Sequence, residues 1–155
     1  MTTPEEQPQP TFQIEKIYVK DLSLELPNAP QVFMQSEQPQ LEIQVHNDAS
    51  QFADGLFHVV VTVTVTARAG EKTLFLAEAA QAGIFTVRNV PAGDLDPLLG
   101  IACPNILYPY VREAISDLVT RGGFPPVLLA PVSFEAIYAQ RQQAASGAAQ
   151  PQAAN

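Results

Sequence analysis

His46, His58 and Cys103 are the side chains that could carry a reaction, and their settings argue against one. Neither histidine falls in an HExxH spacing that would hold zinc, and no glycine-rich phosphate loop is present. Both read as surface or strand-pairing residues. Cys103 closes the run Gly100-Ile101-Ala102-Cys103 and precedes Pro104, a context that matches no nucleophile motif and suits a small buried hydrophobe. As the single cysteine it can form neither an internal disulfide nor a cysteine metal site. The carboxylate pairs, Glu113 with Asp117 and Asp94 with Asp96, fall on a helix face and at a helix entry, where solvated charge accounts for them. A chain without a catalytic group, metal or cofactor is read as a binding protein and not an enzyme.

What could be bound is suggested by Gly100–Tyr138. Two helix-like segments there are joined by a connector rich in proline and glycine yet strongly apolar: Phe124, Val127, Leu128 and Leu129 stand among Pro125, Pro126 and Pro131. Connectors normally face water and carry polar side chains. An apolar one is either covered by a partner or belongs to a surface that takes apolar material.

The elements around it follow from periodicity. A first strand is expected from about Phe12 to Leu26, with Phe12, Ile14, Tyr18, Leu22, Leu24 and Leu26 on even positions and Lys16 and Lys20 interrupting them. A strand this long is expected to carry a bulge where strict alternation fails. Gln40–His46 alternates Leu41, Ile43 and Val45 against Glu42, Gln44 and His46. Leu56–Ala67 is nearly pure β-branched sequence, with Phe57, Val59, Val61, Val63 and Val65 on one face and His58, Val60, Thr62, Thr64 and Thr66 on the other. Ala69-Gly70-Glu71-Lys72 is a hairpin connection into a fourth strand, about Thr73–Val87, and a meander is expected. A helix is expected to begin near Asn105, starting late or kinking at Pro109, and to end at Gly122. Ser133 is an N-cap for a second helix reaching about Gln143. Residues 1–10 are expected to be a disordered N-terminus, 11–143 one domain, and 144–155 a low-complexity tail, helical near its start and loose beyond Ser146 and Gly147.

Eight basic residues against sixteen acidic ones give a net charge of −8, which repels phosphate backbones and excludes nucleic acid as a partner. The opening MTTPEEQPQP has neither the positive start nor the apolar run of a signal peptide, and no stretch has the length of a membrane span, so a cytoplasmic location without membrane insertion is expected.

Four segments together resemble the SecB family of protein-export chaperones: TFQIEKIYVKDLSLELPNAP (11–30), ADGLFHVVVTVTVTA (53–67), TLFLAEAAQAGIF (73–85) and GIACPNILYPYVREAISDLVTRGGFPPVLLAPVSFEAIY (100–138). CPNILYPYVRE and APVSFEA are the most specific of these runs. The resemblance implies an α+β protomer with a four-stranded antiparallel sheet and helices packed on one side. It also implies a homotetramer built as a dimer of dimers, which holds unfolded precursor proteins and delivers them to the SecA motor of the Sec translocon without using ATP.

For the client, the residues themselves suggest Phe33, Phe124, Val127, Leu128, Phe134, Ile137 and Tyr138, although each of these could equally be ordinary core. By resemblance, Asp21, Glu25, Leu76 and Glu78 meet the basic, zinc-holding C-terminal segment of SecA, the zinc being the partner's. Ala77, Ala79 and Gln81 fall near a subunit contact by the same analogy, or else pack under the protomer's own helices. Glu37 stands where some family members carry an aromatic residue. The alternatives are a SecB-like chaperone serving a toxin–antitoxin system and an enzyme with a small apolar substrate. The second lacks a catalytic group.

Overall fold

The computed structural model describes Pro4 and residues 7–149. Within them, β1 (Thr11–Glu25), β2 (Gln40–Ala53), β3 (Leu56–Ala69) and β4 (Lys72–Arg88) form one antiparallel sheet in the order β1-β4-β3-β2. The fold is α+β. The β2–β3–β4 meander is present, joined through Asp54-Gly55 and Gly70-Glu71. β1 does not extend it on the β2 side. Residues 26–39, with a short 3-10 turn at Gln31–Met34, carry the chain across to β2, and β1 pairs with β4. A connection that long lets a strand seek the partner it packs best against and not merely its sequence neighbour.

β3 alternates as its sequence requires. Phe57, Val59, Val61, Val63, Val65 and Ala67 are buried, and the residues between them are half-buried on the other face. Burying each valine contributes roughly 1.5–3 kcal/mol. β1 keeps its apolar residues on that same dry side only by bulging twice. Glu15 and Lys20 are the residues left out of register. Phe12 and Ile14, then Ile17 and Val19, then Leu22 and Leu24 thereby share the side of Phe85, Gly83, Gln81, Ala79 and Ala77, while Tyr18 turns to the opposite face.

One side of the sheet carries the helices α1 (Ala92–Pro97), α2 (Cys103–Arg121) and α3 (Phe134–Ala149). α2 starts earlier than its sequence pattern suggests. α1 runs into it through a π-helical turn, Leu98–Ala102, in which the Cys103 amide reaches the carbonyl of Leu98. Pro104 has no amide for the carbonyl four residues back, and this wider turn takes up that loss. Pro109 lies inside α2 on an exposed side, where water can serve the freed carbonyl. Gly122 ends α2, and Ser133 caps α3 through the Ala136 amide at 3.2 Å. α3 continues through Ser146 and Gly147 to Ala149, beyond the expected loosening; residues 150–155 lie outside the described part, as do most of the first six.

α2 lies across β4 and β3, presenting Leu107, Val111, Ile115, Leu118 and Val119 to the core. Its close approach depends on Gly83, where an added Cβ would come within 2.7 Å of the Phe85 ring and 3.1 Å of Leu107. Cys103 is buried, and desolvation pushes its thiol up to about 12, so it remains a neutral thiol at physiological pH. Among the described residues no helix is long and apolar enough to cross a membrane. Gly83→Val should lower stability by about 1–3 kcal/mol through overpacking. Urea denaturation should show this as a lower midpoint with an unchanged slope.

Candidate functional site

Two surfaces gather the residues singled out above, on opposite sides of the sheet. On the helix side, an aromatic ladder climbs out of the core. Phe75 is buried on β4, Phe124 tilts against it with ring centres 5.0 Å apart, and Phe33 from the 3-10 turn stacks on Phe124 at 5.3 Å. Phe33 keeps 48% of its surface open, and Met34 beside it 87%. The connector after α2 is extended, so its side chains alternate. Val127 and Leu129 turn into the core and Leu128, 81% exposed, turns out. The Tyr108 hydroxyl donates to the carbonyl of Ala130 and ties the connector to α2.

Phe33 and Leu128 therefore reach the surface, and Phe124 is half-buried between Phe33 and Phe75. Val127 and Phe134 do not reach the surface. Phe134 is fully buried, edge-on to Tyr108 at 5.8 Å, and its ring anchors the first turn of α3. A foreign polypeptide could touch it only if α3 moved. Ile137 is half-buried against the core. Tyr138 is half-buried as well, and its ring lies on Gly100, where a Cβ would stand 2.8 Å away. Its hydroxyl donates to Asp96 at 3.0 Å, Gln142 donates to the same carboxylate oxygen at 3.4 Å, and Arg141 donates to the carbonyl of Asn47 at 3.0 Å. Desolvation, then the hydrogen bond to Asp96 and its charge, hold the Tyr138 phenol above its ordinary value, so it remains a donor. These contacts latch α3 onto α1, the π turn and β2.

Sequence reasoning missed Met34 and, on β2, Leu41 and Ile43. The β2 pair sits on the helix-facing side of the sheet, yet remains exposed because the helices cover the central strands and not this edge. Their alternation was visible in the sequence; the lateral reach of the helices was not. Glu37 is exposed and places its carboxylate over Gly70.

The bare face of the sheet carries the second group. Register sets Glu25 opposite Leu76, Ser23 opposite Glu78 and Asp21 opposite Ala80, so Asp21, Glu25, Leu76 and Glu78 share this face. The second bulge is what turns Asp21 and Glu25 outward. Thr64 donates to Glu78 at 2.8 Å. Both histidines lie on this face too, His46 opposite Thr62 and His58 opposite Ser50, with the Tyr18 hydroxyl 2.6 Å from His58 Nε2. Among the described residues no group of His, Cys, Asp and Glu is gathered closely enough to hold a metal. Ala77, Ala79 and Gln81 face the other way and are buried inside the protomer. The two alanines make room for the protomer's own helix layer, and all three side chains are buried in the protomer.

Residues 5–145 match the family described as preprotein translocase subunit SecB. The chain belongs to the SecB family. Relatives named protein-export protein SecB include that of Chromobacterium violaceum, 62% identical over 90% of this chain and 94% of its own length. Those of Dechloromonas aromatica and Neisseria meningitidis serogroup B are 57% and 56% identical, each over 93% of this chain and over 95% and 99% of their own. A Mycobacterium tuberculosis SecB-like chaperone, solved with a peptide from an antitoxin, shares the fold: TM-score 0.65, 19% identity, 79% of this chain and 91% of that one. SecB proteins are protein-export chaperones, and this is the chain's function; binding of preproteins goes with it. The toxin–antitoxin alternative is not favoured, since the antitoxin-bound neighbour is far more distant than the export proteins. Asp96→Asn should weaken the latch, because the amide is a poorer acceptor for Tyr138 and Gln142. Hydrogen exchange should then show α3 amides losing roughly tenfold of their protection, about 1.4 kcal/mol, with β3 unchanged.

Proposed function

We propose that the chain holds unfolded precursors against the helix-side apolar surface and passes them to SecA through the acidic sheet face. We place it in the cytoplasm as a homotetramer, a dimer of dimers. The observation that carries this reading is the separation of the two surfaces by the thickness of the sheet. Phe33, Leu128 and the half-buried Phe124 lie on the helix side, and Asp21, Glu25, Leu76 and Glu78 on the other. A client and a docking partner can therefore be held at once.

An unfolded chain offers apolar side chains in no fixed order, and a surface of exposed aromatics and aliphatics can cover them without reading a sequence. Each large side chain buried contributes roughly 1.5–3 kcal/mol. Several such contacts along one client add through effective concentration, while each singly stays weak enough to release. Leu41 and Ile43 extend the surface along β2, and Val127 and Phe134 support it from beneath. Ile137 and Tyr138 join the contact when the latch on α3 opens.

The docking face draws on charge. A net of −8 and three outward carboxylates attract a basic segment over several ångströms, which speeds encounter and makes docking weaken with salt. Assembly has its own support. β1 is an edge strand, and Phe12, Ile14, Val19 and Leu22 are 39–50% exposed on its helix-facing side, a surface suited to a second copy. Ala77, Ala79 and Gln81 enter that assembly indirectly, through the seat they give α2.

Leu128→Asp should weaken capture of a reduced, unfolded precursor about tenfold in a fluorescence titration, and leave SecA docking intact. Glu78→Lys should do the reverse: SecA affinity falls about tenfold at low salt, the gap narrows as salt rises, and client capture is unchanged. If both variants lose both activities, the surfaces are not separate and the proposal fails.

A further inference from the structure

We infer that Thr64 is a positioning residue for partner docking: its hydroxyl fixes the Glu78 carboxylate over a small depression shaped for a lysine or arginine side chain. The inference rests on the acidic face being the docking surface. It adds a residue on β3, a strand that supplies none of the four positions assigned above.

The rows across the sheet show why. One reads Gln44, Thr64, Glu78, Ser23, and the next Glu42, Thr66, Leu76, Glu25. Where β3, β4 and β1 meet, a depression of about 210 Å³ is lined by Ser23, Glu25, Thr64, Leu76, Ala77 and Glu78. Leu76, half-buried, gives it an apolar floor; Glu25 and Glu78 give it two acidic walls. That combination fits a side chain with a methylene stem and a cationic head.

A glutamate on an open sheet face would sample many rotamers, and fixing it at the moment of binding costs entropy. Here Thr64 Oγ1 donates to Glu78 Oε2 at 2.8 Å in a half-buried setting. Threonine suits this task because its β-branch limits χ1, so the hydroxyl direction is set before the glutamate arrives. Oε2 is thereby engaged from one side, and among the described residues none donates to Oε1, which is left to an incoming cation. The carboxylate is held in place before the partner comes.

The test uses the full-length chain and a basic peptide taken from the C-terminal segment of SecA, loaded with zinc. Thr64→Val keeps the shape and removes the donor; Thr64→Ser keeps the donor. Calorimetry should show Thr64→Val raising Kd three- to tenfold and Thr64→Ser staying within twofold of the unaltered chain. Capture of unfolded precursor should be unchanged in both. On a Glu78→Gln background, Thr64→Val should add less than twofold. In the free protein, the Glu78 side-chain carboxyl carbon should shift in NMR spectra on Thr64→Val and return with Thr64→Ser. Undiminished peptide affinity in Thr64→Val, or an equal loss on the Glu78→Gln background, overturns the positioning role and leaves the docking face standing. Failure of the unaltered chain to bind the peptide overturns the docking face, and the positioning role with it.

Discussion

Everything in the molecule is arranged around the dry contact between α2 and the middle of the sheet. Val59, Val61, Val63 and Val65 on β3, with Ala77, Ala79, Gly83 and Phe85 on β4, form a surface without a charged side chain, and α2 closes it with Leu107, Val111, Ile115 and Val119. The width of one helix is less than that of the sheet. The central strands are sealed and the flanks are not, which leaves β1 and β2 with apolar side chains on the covered side and no cover. The same contact leaves the far face of the sheet bare. Both proposed binding surfaces are thus residues of where the helix layer stops, and their separation follows from a sheet having two faces.

Much of this could be read from the chain beforehand, because the strands obey simple periodicity. β3 is half β-branched valine on one parity and threonine on the other, and no helix would accept that pattern. The hairpin at Gly70-Glu71, the stop at Gly122 and the cap at Ser133 are local signals with local causes, and the structure keeps each of them. The resemblance to the SecB family rested on runs that lie in the helices and in β1, β3 and β4, and the family match covers them.

What stayed hidden has a physical reason in each case. The pairing of β1 with β4 is a long-range choice that a sequence window does not contain. Leu128 and Leu129 are identical in kind, and only the phase of an extended connector decides that one is open and the other sealed. Phe134 could be read either as a client contact or as core, because helical spacing shows which residues share a face, not how deeply that face is buried. Tyr138 has a use within the fold, the latch to Asp96 over Gly100, which neither spacing nor composition could disclose.

The unpaired positions in β1 carry a consequence for how this strand can vary in length. Remove Glu15, and Ile14 and Lys16 become neighbours on alternate faces; remove Lys20, and Val19 and Asp21 do the same. At either site the strand can shorten by one and every other side chain keeps its side. A loss between them inverts only the side chains lying between it and the bulge that straightens to absorb it. Single-residue deletions that invert no side chain in β1 therefore fall at two points set by the pleat.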